Sequence, residues 1–134
     1  MRAMISLLID MMRISWPWKL WLGILILVNM ILPLAYIRSI EGQATLVSLF
    51  TGFVIMTLIH RKKGYVRLLG AGHVFWIVLV PWLFLRIIAQ SGTGIFNSWL
   101  IGVIAVNSLS LVIDASDVWR YMRGERAPLM PLRP

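Results

Sequence analysis

The chain has 134 residues, of which 60% are hydrophobic and only 13% charged, about half the charged share of a soluble domain. With a mean hydropathy of +0.85 it lacks the polar residues that a soluble surface needs. A formal charge of +8 would suggest nucleic acid in a soluble protein, but these basic residues lie beside apolar runs. Anionic lipid headgroups are therefore the expected partner, and nucleic acid is not. The absence of cysteine excludes disulfides, thiolate metal sites and cysteine nucleophiles.

Residues 1–15 form the first predicted element. On a helical wheel Arg2, Ser6, Asp10 and Arg13 share a narrow stripe, and the remainder, apart from the terminal Ser15, is Met, Leu, Ile and Ala. That pattern predicts an amphipathic helix lying in the interface, with Pro17 marking the turn into the membrane. Four apolar runs follow, at about 18–37, 42–59, 68–88 and 95–113, and then a cytoplasmic tail over 114–134. Each run gives roughly 27–32 Å of helix, which matches a hydrocarbon core of about 30 Å. The connections are short, and Gly92 and Gly94 fall in the third of them. The predicted fold is all-α: one membrane domain of four transmembrane helices in an up-down-up-down bundle.

Charge sets the orientation. Arg2, Arg13 and Lys19 precede the first run, Arg61, Lys62, Lys63 and Arg67 separate the second from the third, and Arg120, Arg123, Arg126 and Arg133 follow the fourth. Eleven of thirteen basic residues thus fall on one side, leaving Arg38 and Arg86 for the other. The positive-inside rule then puts both termini in the cytoplasm. Aromatic residues mark the boundaries: Trp16, Trp18, Trp21, Tyr65, Trp119 and Tyr121 on the inner side, Tyr36 and Trp99 on the outer.

Polar residues within the runs are the candidate functional groups, because each needs a partner or a role. Val103, Asn107, Ser110, Asp114 and Asp117 recur on one face of the fourth run. His73 lies near the inner boundary of the third, so His73 and Asp114 are expected to meet. The pair reads either as a proton-linked or ligand-contacting site or as a register-fixing hydrogen bond. His60 precedes Arg61, Lys62 and Lys63 and reads as part of an interfacial basic cluster, so no metal or haem site is expected. On the outer side Glu41 and Arg86 form a natural surface-type pair. Pro33 is expected to free the Asn29 carbonyl and Pro81 to interrupt the third run, either as static kinks or as parts of a transport site. Ala44, Ser48 and Gly52 form a small-residue row suited to close helix packing, and Ser98 with Gly102 starts another, within one chain or between copies.

The phrases WPWKLWLGILILVNMILPL (residues 16–34), RLLGAGHVFWIVLVPW (67–82) and SLVIDASDVWRYMRGER (110–126) resemble small four-span bacterial inner-membrane proteins of unknown function. The similarity covers most of the chain; it implies a topology and a bacterial inner membrane, and no activity. Small multidrug transporters carry an acidic residue in the first span, which has none here. There is no GxSxG, HExxH, Walker or GxGxxG motif, so no enzyme or cofactor is expected. The leading expectation is a structural, accessory or complex-stabilising membrane protein; the alternative is an oligomeric small transporter or channel using the polar stripe. A second copy or a larger membrane complex is the expected protein partner.

Overall fold

A computed structural model describes residues 2–90 and 94–129; the Arg2 side chain, Gly92 and Arg133, used above in the charge and turn arguments, lie outside the described residues. In chain order the helices are α1 (Arg2–Met11), α2 (Trp16–Ile26) running through a π turn (Leu27–Ile31) into α3 (Leu32–Ala35), α4 (Ile40–Lys63), a 3-10 segment (Arg67–His73), α5 (Trp76–Gln90) and α6 (Ile95–Met122). No strand occurs among the described residues. Four helical stretches are long and apolar enough to cross a membrane: Trp16–Ala35, Ile40–Lys63, Arg67–Gln90 and Ile95–Met122.

The helix ends follow from local chemistry. Ser15 holds extended backbone ahead of α2, and Pro17 stands in the first turn, where its missing N–H costs nothing. Ser39 caps α4 by accepting the Gly42 N–H at 3.0 Å. Gly64 ends α4 with φ 75°, and its N–H donates to the His60 carbonyl at 2.8 Å.

Two stretches depart from regular α-helix, for different reasons. In the π turn the Leu32 N–H donates to the Leu27 carbonyl, one residue further back than in an α-helix. By that register the Val28 carbonyl would pair with residue 33, which is a proline and has no N–H. The carbonyl that Pro33 frees is therefore that of Val28, not of Asn29 as an uninterrupted α-helix would have it. Pro81, by contrast, sits inside α5, which continues through it. The break in the third span comes earlier, at the 3-10 segment. There Gly70 and Gly72 let the backbone wedge between α4 and α6. A Cβ on Gly70 would lie 2.9 Å from the Asp114 Cβ, and a Cβ on Gly52 would lie 2.5 Å from the Gly72 carbonyl oxygen.

Two apolar clusters hold the helices together. The larger joins Leu25, Trp76, Leu79, Leu83, Trp99, Leu100 and Val103. The smaller joins Leu7 of α1 to Met56 and Leu69. Large apolar side chains also cover the outside, among them Leu20, Ile31, Phe50, Val54, Val78, Phe84, Ile101 and Val112. An apolar exterior around buried polar side chains is the distribution expected where the surroundings are lipid.

Candidate functional site

The predicted face of α6 points inward. Val103, Asn107 and Ser110 are buried, and Asp114 and Asp117 follow at its end, half-buried. Each of the two aspartates meets a partner from the third span. His73 Nδ1 lies 2.7 Å from Asp114 Oδ2, and Arg67 donates to Asp117 Oδ1 at 2.7 Å. The His73 ring also stacks on Trp76, with centroids 4.1 Å apart and planes inclined by 11°. A carboxylate at Nδ1 fixes the ring orientation and, in the neutral tautomer, leaves Nε2 as the acceptor. The expected meeting of His73 and Asp114 is thus present, and Gly70 is what lets the two backbones come close enough for it.

Asn107 has a partner that the sequence pattern did not pair with it. Its Nδ2 donates to Asn29 Oδ1 at 2.8 Å, and Asn29 Nδ2 donates to Asn107 Oδ1 at 2.8 Å. Asn29 reaches it from the π turn and donates a second hydrogen bond to the Leu25 carbonyl at 3.3 Å. Both amides are fully buried. One helical position away, the Trp99 indole donates to the Val28 carbonyl at 3.1 Å, which supplies the donor that Pro33 lacks. Tyr36 stacks on Trp99 at 4.9 Å. Trp99 is therefore a buried packing residue and hydrogen-bond donor rather than the boundary anchor expected of it, whereas Trp16, Trp18 and Trp119 are exposed.

Glu41 and Arg86 pair as expected, at 2.7 Å, but not as a surface pair. The Glu41 side chain is 3% exposed against 39% for Arg86, and Gln90 donates a second bond to the same carboxylate oxygen at 2.8 Å. The Arg86 guanidinium lies over the Trp82 ring at 6.0 Å.

At the opposite end His60 is buried rather than part of the exposed cluster that Arg61, Lys62 and Lys63 form. Its Nε2 lies 2.9 Å from Asp10 Oδ2. The face of α1 that carries Leu7 and Asp10 packs inward, and Met4, Ile5, Leu8, Ile9 and Met12 face out. Tyr65 is half-buried beside this pair; burial pushes its phenol pKa above the ordinary value, and Asp10 and Asp117 add to the effect. The segment after α6 returns to the same place. The Leu129 N–H donates to the Tyr65 carbonyl at 2.7 Å, and Glu125 bridges Arg67 and Arg120.

The small-residue rows separate. Gly52 meets the Gly72 backbone, while Ala44 packs against the larger cluster and Ser48 is half-buried. Ser98 is exposed and bonded to the Gly94 carbonyl at the start of its own helix, and a Cβ on Gly102 would meet nothing within 4 Å, so among the described residues that row makes no close helix contact.

Chemically, the arrangement pairs polar groups and leaves few to act. All five acidic side chains of the chain are engaged: Asp10 with His60, Glu41 with Arg86, Asp114 with His73, Asp117 with Arg67, and Glu125 with Arg67 and Arg120. No group of three or more potential metal ligands occurs among the described residues. Comparison with known protein families, with curated proteins and with solved structures finds no match to this chain.

Proposed function

We propose that the chain is an integral protein of the bacterial inner membrane with a structural, accessory or complex-stabilising role. Its four spans run up-down-up-down, with α1 at the interface and both termini in the cytoplasm. The observation that carries this reading is the engagement of every acidic side chain in a bond to another element, with the Asn29–Asn107 pair doing the same between the first and fourth spans. Polar groups used this way fix helix register and orientation, and a chain built so presents a defined apolar surface to a partner.

Contacts between spans support the up-down order. Residue 29 meets 107 while 36 meets 99, and 67 meets 117 while 73 meets 114, so numbers rise along one helix as they fall along its neighbour. The asymmetry of basic residues supports the orientation. The apolar outer face of α1, beside its inward Asp10 and Leu7, supports an interfacial position. The resemblance noted above supports the inner membrane.

Two measurements test the reading. The chain has no cysteine, so Arg38→Cys, Lys62→Cys and Ala127→Cys give single reporters at exposed positions. Only the cysteine at 38 should react with an impermeant thiol reagent added outside intact cells; labelling at 62 from outside would overturn the topology. Purification from native membranes in mild detergent should then bring a stoichiometric protein partner. Recovery of the chain alone, with solute flux after reconstitution, would replace the accessory role by the second reading. That reading is a small proton-linked transporter, and the His73–Asp114 contact beside a stacked Trp76 favours it.

A further inference from the structure

The first span is the least enclosed of the four: 11% of its apolar window is buried, against 28% for each of the others. Its outer face carries a shallow apolar groove of about 310 Å³ lined by Trp16, Lys19, Leu20, Gly23, Ile24 and Leu27. These positions share one face of a helix. The notch is made by Gly23, where a Cβ would meet nothing within 4 Å. From Trp16 to Leu27 the face is about 16 Å long, close to half of a hydrocarbon core of about 30 Å. The groove therefore runs from the interface, where Trp16 and Lys19 lie, to the depth at which the π turn begins, and so spans one leaflet.

From these observations we propose that this groove is a binding site for a single anionic phospholipid, with its phosphate on the Lys19 ammonium and one acyl chain in the notch at Gly23. Charge selects the occupant. The Lys19 ammonium has no hydrogen bond or ion pair among the described residues. All five acidic side chains are already engaged elsewhere, so neither this chain nor a second copy of it has a side-chain carboxylate to spare for Lys19. A second copy docked on the same face would bring two lysines together, and Gly23 is flanked at four-residue spacing by Lys19 and Leu27, not by the small residues that close helix pairing uses. A lipid phosphate supplies the missing charge, and its chain has the length of the groove. The site rests on the membrane reading above and goes beyond it by naming a ligand.

The test is native mass spectrometry of the full chain in mild detergent, with phosphatidylglycerol and phosphatidylcholine added in equal amounts. One phosphatidylglycerol should be retained in preference to phosphatidylcholine by about fivefold, the discrimination that one basic side chain supplies at an anionic surface. Lys19→Gln should abolish the preference while leaving some lipid bound. Gly23→Leu places a side chain in the notch, where a Cβ meets nothing within 4 Å, and should lower retention of both lipids. A photoreactive phosphatidylglycerol should label residues 20–27 in the wild type and not in Gly23→Leu. Unchanged preference in Lys19→Gln, or unchanged retention in Gly23→Leu, would mean an adventitious lipid only and would overturn the proposal. Crosslinking of two copies through Gly23→Cys in native membranes would overturn it in favour of a chain–chain contact. Either failure in a chain whose cysteine reporters show correct insertion counts against the lipid site alone; failure of insertion counts against the membrane reading as well.

Discussion

Midway along the first and fourth spans two neutral amides, Asn29 and Asn107, join the helices; at the end that carries most of the basic residues the joints are ionisable pairs. The difference follows from what each position can do with charge. Two primary amides each offer a donor and an acceptor, so a reciprocal pair satisfies both without leaving net charge in a medium that solvates it poorly. Asp10–His60, His73–Asp114 and Arg67–Asp117 stand near helix ends, where, in the proposed membrane arrangement, headgroups and water screen what the partner does not neutralise. The amide pair is closed and fully buried, whereas the ionisable joints range from the buried Asp10–His60 to the partly exposed Arg67–Asp117, and they link α1 to the end of α4 and the 3-10 segment to the last turns of α6.

The largest effect is expected at the amide pair. Asn107→Leu leaves the Asn29 amide buried without its reciprocal partner and should cost about 1–3 kcal/mol of stability in detergent. Asn29→Leu should cost a similar amount, and the double change should be far less harmful than the sum, because no orphaned amide remains. Additive losses would show that the amides stabilise through separate contacts and that their pairing is incidental.

Next comes the His73–Asp114 contact, whose coupling in a double-mutant cycle should fall at about 0.6–1.7 kcal/mol, the range of interhelical hydrogen bonds in membranes. In a purely structural joint Asp114→Asn keeps an acceptor for Nδ1 and should be tolerated. If Asp114→Asn instead leaves stability intact and abolishes a proton-coupled flux, the contact belongs to a transport site and the second functional reading replaces the first.

Trp99→Phe probes the π turn that places Asn29. Removing the indole N–H leaves the Val28 carbonyl without the donor that Pro33 cannot provide, and should cost about 0.5–1.5 kcal/mol. Restoring that donor along the helix with Pro33→Ala should make the Trp99→Phe change nearly neutral. If Trp99→Phe costs the same in both backgrounds, the indole acts through packing on Tyr36 alone.

How far these joints were readable from the sequence depended on distance along the chain and on depth. The inward face of α6 and the His73–Asp114 meeting follow from helical spacing within two neighbouring spans. The four spans are legible for a similar reason, since their length and hydropathy are local properties. Asn29 was visible as a polar residue in the first span, but its partner was not, because a π turn shifts the register by one residue and no local motif announces that shift. Asp10 and His60 were harder still. A helical wheel groups Asp10 with Ser6 and Arg13 but cannot say whether that stripe faces in or out, and His60 is hidden beside three exposed basic residues. The 3-10 segment depends on Gly70 and Gly72 meeting particular atoms of α6 and α4, which only three-dimensional packing specifies.

The smallest effect is expected where the segment after α6 is held by charge. Arg120 bonds both Glu125 oxygens, at 3.0 and 2.9 Å, with both side chains close to half exposed. The hydrogen bond from Arg120 holds the Glu125 carboxyl below its ordinary value against the opposing cost of desolvation, with the charges of Arg120 and Arg67 adding to the lowering. A depressed folded pKa means that the contribution is fully present above the ordinary carboxylate value and is lost as pH falls through the folded one. Between neutral pH and about pH 5 nothing should change; only in more acidic solution should this segment loosen. Because the pair is solvent-exposed and screened, global stability should hardly respond to Glu125→Gln, and high salt should mimic the substitution. The readout is hydrogen exchange of the Leu129 amide, which donates to the Tyr65 carbonyl and reports whether the segment stays folded back. Faster exchange at Leu129 in Glu125→Gln, with the spans unchanged, would separate this outermost joint from those beneath it; a loss of Asp10–His60 packing at the same time would show that the charged end behaves as one unit.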